Sequence, residues 1–527
     1  MSPRGAMLLC CFLCLLFCRA DAGAAATPEE IVIGSKKFTE SVILGEIAAK
    51  LCASTGARTV LRQELGGTRL LWSALLAGEI DVYPEYAGTL RQEILAGEDV
   101  SDEEALARAL AARGLKKSKP LGFNDAYALG MRREAAKRLG VVLISDLARH
   151  PELRFGFSDE FLNRKDGWPA LQAAYGLNAA QAIGLDHDIA YKGIAAGKID
   201  VVDLYTTDPE IGLYDLKLLE DDRKVFSDNE VFLLYRADLQ QKAPKALGAL
   251  LKLQGRIDDA AMIAMNKAVK IERRSEDETA AHFVQETFGI AESARRDSLA
   301  SRLLARTLEH LRLVALSLGP AIMAAVPLGV IAFRRPRLGH AILALASVLQ
   351  TIPSLALLVF MLPLFGLGPE PAIAALFLYS LLPIIRNTAS GLQSIPASIR
   401  NSAIALGLTP TRRLLLIELP IAAPAVLAGI KTAAVINVGT ATLGALVGAG
   451  GYGQPIFTGV RLDDFGLILA GAAPAAALAL LVQGVFELAE RRLVPRGLRA
   501  PDRSAVAVST DPDSPPKIGQ KTTRPTG

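Results

Sequence analysis

NSAIALGLTPTRRLLLIELP, residues 401–420, is polar and basic and lies between two long apolar blocks. Gly407 stands near its start, nine residues intervene, and then come Ile417, Glu418, Leu419 and Pro420. A glycine turn between two short helical runs, with Arg412 and Arg413 exposed, describes a helix-turn-helix on a membrane face.

Outward from this loop the apolar blocks read as membrane spans. Uncharged runs at 313–333, 341–369, 371–385, 432–460 and 465–486 give about five spans, the first of them 21 residues long. That length crosses a bilayer as a helix. Residues 305–495 therefore read as an all-α transmembrane domain. Internal prolines at 320, 353, 383 and 474 are tolerable where neighbouring helices satisfy the freed carbonyls. The short third run is closed by Arg386, whose long side chain can reach the interface. The whole chain of 527 residues is 51% hydrophobic with a mean hydropathy of +0.31, too apolar for a wholly soluble protein. Its net charge of +4 gives no reason to expect a nucleic-acid partner.

Residues 1–26 read as a secretory signal: Arg4, an apolar core at 6–17, and small residues at 20–22. The chain beyond residue 26 is then exported. Residues 28–295 are charge-rich, and strand, glycine turn and helix alternate in them, favouring a largely parallel sheet covered by helices. Ile31–Val32–Ile33 is the first buried strand, and Thr39 is placed to cap a helix with Ile43, Ile47 and Leu51 on its apolar face. An internal repeat adds to this: AGEIDVYPEY (77–86) parallels AGKIDVVDLY (196–205), with six of ten positions identical. Each reads as helix end, glycine turn and strand, with a tyrosine at the strand's carboxyl end. Ligands of open α/β sheets bind beyond those ends. Two such units imply two lobes, each offering a tyrosine (Tyr86, Tyr205) to one cleft.

With 28–295 outside the cytoplasm, the arginines at 334–337, 400–413 and 491–499 fall inside, as positive charge does, while Arg302, Arg306 and Arg312 count against it. Residues 500–527, rich in Pro, Ser, Thr and Asp, are a disordered tail. Four of five cysteines lie in the signal, leaving Cys52, so a processed chain has no internal disulfide. There is no phosphate loop of the G-x-x-x-x-G-K-[ST] type, so ATP would have to be used elsewhere. The five histidines show no ligand spacing, and Asp186–His187–Asp188 reads as a polar loop. No nucleophile-base pattern is present, so no catalytic residue, metal or cofactor is expected.

Several stretches carry a resemblance. GSKKFTE (34–40), LGGT (65–68), DVYPEYAGT (81–89), DGW (166–168) and YTTD (205–208) resemble the binding protein of osmoprotectant (glycine betaine, carnitine, choline) ABC importers. QTIPSLA (350–356), LLPIIRNT (381–388), ATL (441–443) and GAGG (448–451) resemble the cognate permease. The 401–420 loop is similar to the permeases' EAA loop at Ala403, Gly407, Ile417, Leu419 and Pro420, and departs from it at Asn401 and Ser402. The resemblance implies receptor and permease fused in one chain: a two-lobed α/β binding domain of the periplasmic type II kind, then the permease. It implies a bacterial inner-membrane protein whose loop docks on a separate ATPase subunit. Two permease copies are expected to form the pathway, because five spans make a small pore.

The family holds a quaternary ammonium in a cage of tyrosines, since such a cation has no hydrogen to donate and is attracted by ring faces. Carried over by motif, Tyr86, Tyr127 (in NDAYAL, 124–129) and Tyr205 form the cage, and Thr68 and Thr89 can donate to a carboxylate or hydroxyl. One departure bears on the ligand. Where the family often has F-P-P-Y-Y, this chain has Phe226, Ser227, Asp228, Asn229 and Glu230, losing an aromatic wall and placing acids nearby. The departure implies weaker betaine binding or another cationic solute. Two alternatives stay open: an importer of another small solute such as an amino acid, and a membrane-anchored sensor without transport.

Overall fold

The computed structural model describes residues 30–493 apart from 101, 178–181, 227–228, 291–298 and 463; the expected signal and tail lie outside the described residues. The chain forms two compact units, one built mainly from residues up to Arg302 and the other mainly from Leu303 onward.

The first unit holds two five-stranded sheets of one design. In the first, β1 (Glu30–Gly34) lies parallel between β2 (Arg58–Arg62) and β3 (Val82–Tyr86), and β10 (Val231–Arg236) runs antiparallel between β3 and β4 (Leu115–Lys117). In the second, β6 (Phe155–Ser158) lies parallel between β7 (Ala182–Leu185) and β8 (Val201–Tyr205), and β5 (Tyr127–Arg132) runs antiparallel between β8 and β9 (Leu216–Leu218). The expected largely parallel sheet is thus two mixed sheets. Each lobe takes its antiparallel strand out of chain order, because the chain crosses between sheets twice, from β4 to β5 and from β9 to β10. Asn124 and Glu230 pair as an antiparallel bridge where these crossings run side by side between the two sheets.

Each lobe has its own core. Ile31, Ile33, Ile43, Ile47, Leu51 and Leu233 are buried together in the first, and Phe155, Phe157, Phe161, Trp168 and Leu171 in the second. Thr39 is the first residue of the helix Thr39–Ala53 rather than its cap. Phe38 occupies the cap position with no side-chain hydrogen bond, and Ser41 Oγ turns back to accept from Lys36 N at 2.9 Å.

The internal repeat has a packing cause. Ile80 and Ile199 lie over β1 and β6 where Gly34 and Gly156 leave room; a Cβ there would meet their Cδ1 atoms at 2.8 and 2.4 Å. Asp81 and Asp200 then accept the backbone N–H groups of Val32 (2.8 Å) and Arg154 (3.0 Å), pinning each strand to its neighbour. The two tyrosines come next, at corresponding strand ends.

The second unit is all helical. Four helices among the described residues are long and apolar enough to cross a membrane: Ser301–Arg334, Pro369–Gln393, Pro410–Val447 and Phe465–Arg492; a bent pair makes up to five. That pair, Pro336–Thr351 and Ser354–Phe365, turns through 99° where the sequence suggested one unbroken run at 341–369. Pro353 forces Ile352 into extended geometry, which a helix cannot pass through. The helix Pro369–Gln393 runs on through exposed Arg386, beyond the expected end at 385. The span expected at 432–460 also begins much earlier. Lys431 does not interrupt it, because its ammonium reaches Glu487 at 4.0 Å on the last helix. The span closes before Gly448, Gly450 and Gly451, whose φ of 80°, 76° and 79° turn the chain aside.

Candidate functional site

The sheet ends build the site. On β3, Glu85 is fully buried; it pairs with Lys36 at 2.5 Å, accepts from Tyr83 Oη at 2.9 Å and holds the backbone N–H of Tyr86 at 2.8 Å. Tyr86 is thereby fixed at the strand end, its hydroxyl donating to Glu40 Oε1 at 2.8 Å and its ring face taken by Lys36 Nζ at 4.8 Å. In the other lobe, Tyr127 and Tyr205 are register partners on β5 and β8. Their rings stack at 5.0 Å and 28°, and the Tyr205 hydroxyl donates to that of Tyr127 at 3.3 Å. Arg164 lies 5.7 Å from the Tyr127 ring, paired with Asp166 at 2.5 Å and Glu93 at 3.0 Å and 3.4 Å from Thr89 Oγ1.

Tyr86, Tyr127, Tyr205, Thr68 and Thr89 all line one cleft of about 450 Å³, open solvent at its mouth included. Besides these five, the lining includes residues that carried no role in the sequence reading, among them Lys36, Asp125 and Arg164. Lys36 stands within GSKKFTE and Arg164 two positions before DGW, so the signal for both was nearness to a motif. In the 226–230 stretch, where an aromatic wall was expected to be lost and acids to lie nearby, only Phe226, Asn229 and Glu230 are described. Ser227 and Asp228 lie outside the described residues, and Glu230 is exposed. Asn229 spends its amide internally, accepting from Gly88 N and donating to Asp125 O, both at 2.8 Å. Among the described residues, the acids lining the cleft are Asp125 and Glu160. His187 is no part of a polar loop: it opens a helix capped by Asp186 and meets Asp208 at 2.9 Å.

Behind the cleft a buried polar network ties the lobes. The Thr207 hydroxyl lies 2.6 Å from Glu40 and 2.7 Å from Asp125. It has one proton to give, so both contacts are satisfied only when one of the two carboxyls keeps its own. Burial pushes Glu40 up to about 7 against the hydrogen bonds of Thr207, Tyr86 and Asn266, and it raises Asp125 as well. Burial alone would lower His187, but the charge and hydrogen bond of Asp208 together with the charge of Asp203 outweigh it and bring His187 up to about 9.

The signs of these shifts agree. Between pH 4.5 and about 7 the folded chain keeps a Glu40 proton that the unfolded chain has lost; between 6.5 and about 9 the same holds for His187. Wherever the folded state binds more protons, stability falls as pH rises. The chain has two tryptophans, Trp72 and Trp168, both in this unit, so their fluorescence reports on it alone in the full chain. The fluorescence-detected melting temperature should fall from about pH 6 to pH 9, and Glu40→Gln should flatten its lower half. A melting temperature that climbs over this range contradicts the assignment.

The 401–420 loop is a helix Ala397–Ala405, a turn through Gly407 at φ 74°, and a second helical stretch. Ala403 is buried, Ile417 and Leu419 half-buried and Pro420 exposed. The second stretch is not a separate short helix: Pro410–Arg413 passes through a π-helical turn, Leu414–Glu418, into Leu419–Thr440. Arg412 is exposed as expected, but Arg413 is half-buried against Glu418 at 3.2 Å.

Comparison with known proteins gives the family. Residues 29–286 match the substrate-binding domain of ABC-type glycine betaine transport systems, and residues 322–496 match the binding-protein-dependent transport system inner membrane component. The choline transport system permease protein OpuBB of Bacillus subtilis is 41% identical over 37% of this chain and 91% of its own length. The osmoprotectant import permease protein OsmW of Salmonella typhimurium is 41% identical over 38% of this chain and 95% of its own. Among solved structures, that of a glycine betaine/carnitine/choline ABC transporter is 24% identical, covers 49% of this chain and 98% of that one, and has a TM-score of 0.43. The chain belongs to the binding-protein-dependent inner membrane components of ABC transport systems and carries a substrate-binding domain of the glycine betaine class in the same polypeptide.

Proposed function

We propose that this chain is the fused receptor and permease of an osmoprotectant importer. Residues 30–290 capture a small quaternary ammonium solute outside the cytoplasm, and residues 303–493 conduct it across the bacterial inner membrane. A separate ATPase subunit docks on the 401–420 loop and drives the step, and two copies of the chain form the pathway. The observation that carries this reading is the single cleft lined by Tyr86, Tyr127 and Tyr205 from both lobes. Ring faces attract a cation that offers no hydrogen bond, by about 0.5–2 kcal/mol each. Thr68, Thr89, Lys36 and Arg164 line the same cleft and suit the carboxylate of betaine or carnitine. Choline, lacking a carboxylate, forgoes those contacts.

Calorimetry on the full chain in detergent with glycine betaine, carnitine, choline and a neutral amino acid tests the ligand class. Heat from the quaternary amines is expected, with the carboxylated ones tighter. Heat from the amino acid alone would mean that the rings serve another solute. An ATPase retained through purification from native membranes separates importer from sensor.

A further inference from the structure

Glu418 is the only carboxylate in the sequence between Glu370 and Asp463, and it is 1% exposed. An acid so placed at the start of a membrane span is costly unless it is held by opposite charge. Two arginines hold it. Arg413, which ends the helix Pro410–Arg413, brings Nε to 3.2 Å of Oε1, and Arg400, on the helix Ala397–Ala405, brings Nε to 3.6 Å. Arg400 itself lies over the Phe333 ring at 4.7 Å and donates to the carbonyl of Leu392. Arg334 donates to the carbonyl of Pro410 at 2.9 Å. One buried carboxylate therefore gathers both helices of the loop against the ends of two spans and the first turn of a third.

Two details set this cluster apart from a static brace. Glu418 ends the π-helical turn Leu414–Glu418, a geometry that often marks a functional position in a helix. Its second oxygen, Oε2, is buried with no hydrogen-bond partner among the described residues, so the carboxylate has capacity left for a second arrangement of the arginines. On the outer side of the same loop, Ile404, Leu406, Leu415 and Leu416 are exposed by 55%, 81%, 58% and 56%.

We propose that Glu418, clamped by Arg400 and Arg413, is the positioning residue that makes the loop 397–418 and the span Leu419–Thr440 move as one body when the ATPase pushes on the loop. Slippage of the helix Ala397–Ala405 past the span would pull Arg400 from Glu418 and weaken the hold on a buried charge, so loop and span stay together. The inference rests on the importer reading above.

The test uses the full chain with its co-purifying ATPase in liposomes, tracking uptake of labelled glycine betaine and choline together with phosphate release. Glu418→Gln should lower solute moved per ATP hydrolysed about tenfold, while hydrolysis itself stays within about threefold of wild type. Tryptophan-detected solute binding should be unchanged, and Glu418→Asp should recover much of the ratio. A wild-type ratio in Glu418→Gln, or uptake and hydrolysis falling in step, overturns the proposal. Should Glu418→Gln fail to reach the membrane, Arg413→Gln decides by the same ratio, since it leaves Arg400 to hold the acid: a lowered ratio supports the clamp and an unchanged one overturns it. Wild type without ATP-dependent uptake would instead remove the importer reading itself, and this inference with it.

Discussion

Replacing Tyr205 by alanine should weaken binding of glycine betaine about a hundredfold, while Tyr205→Phe should stay within about threefold of wild type. Tyr205 ends β8 and stacks on Tyr127 at 5.0 Å, so alanine removes its own ring face and also the wall that orients its neighbour. A lost cation–ring contact of about 1–2 kcal/mol and a lost ring pair of about 0.5–1.5 kcal/mol together reach that loss. Phenylalanine keeps both faces and gives up only a 3.3 Å hydroxyl contact. Titration of the full chain by tryptophan fluorescence separates the outcomes. Equal losses in both variants would assign the tyrosine a hydrogen-bonding role and end the ring-face account.

Leucine in place of Gly429 should leave little folded permease in the membrane. Gly429 sits where Leu419–Thr440 crosses Pro369–Gln393. A Cβ there would lie 2.8 Å from the Pro383 carbonyl oxygen, 2.8 Å from Asn387 Cβ and 3.2 Å from Ile384 Cα. Two of those three atoms are backbone and cannot swing aside. The same helix pair is close again at Gly391, whose Cβ would meet Ala425 Cβ at 2.6 Å. Membrane helices associate through such small residues because lipid offers no hydrophobic gain to drive them together. Forcing a leucine into the contact costs about 3 kcal/mol or more. Size-exclusion of detergent-extracted protein should show a loss of the monodisperse peak of several-fold at least, with Gly429→Ala intermediate. A normal peak for the leucine variant would mean that the two helices do not approach as described.

Much of the site was legible because its determinants are local. The AG-x-ID repeat fixes a glycine turn, an isoleucine over a glycine and an aspartate on a backbone N–H within ten residues, so Tyr86 and Tyr205 could be placed at strand ends from the residues themselves. The apolar runs likewise announced membrane helices, since a bilayer demands length and the absence of charge over one continuous segment.

What the sequence determined by itself was therefore the kinds of element, their tyrosines and the loop. The tertiary structure decided the rest. It inserted β10 and β5 antiparallel into their sheets, carried a span past Lys431 on the strength of Glu487, and brought Lys36 and Arg164 to the cleft. It also set Glu418 between Arg400 and Arg413. Each of these depends on a partner brought near only by the folded chain, and periodicity and turn chemistry act over a few residues and carry no record of that partner.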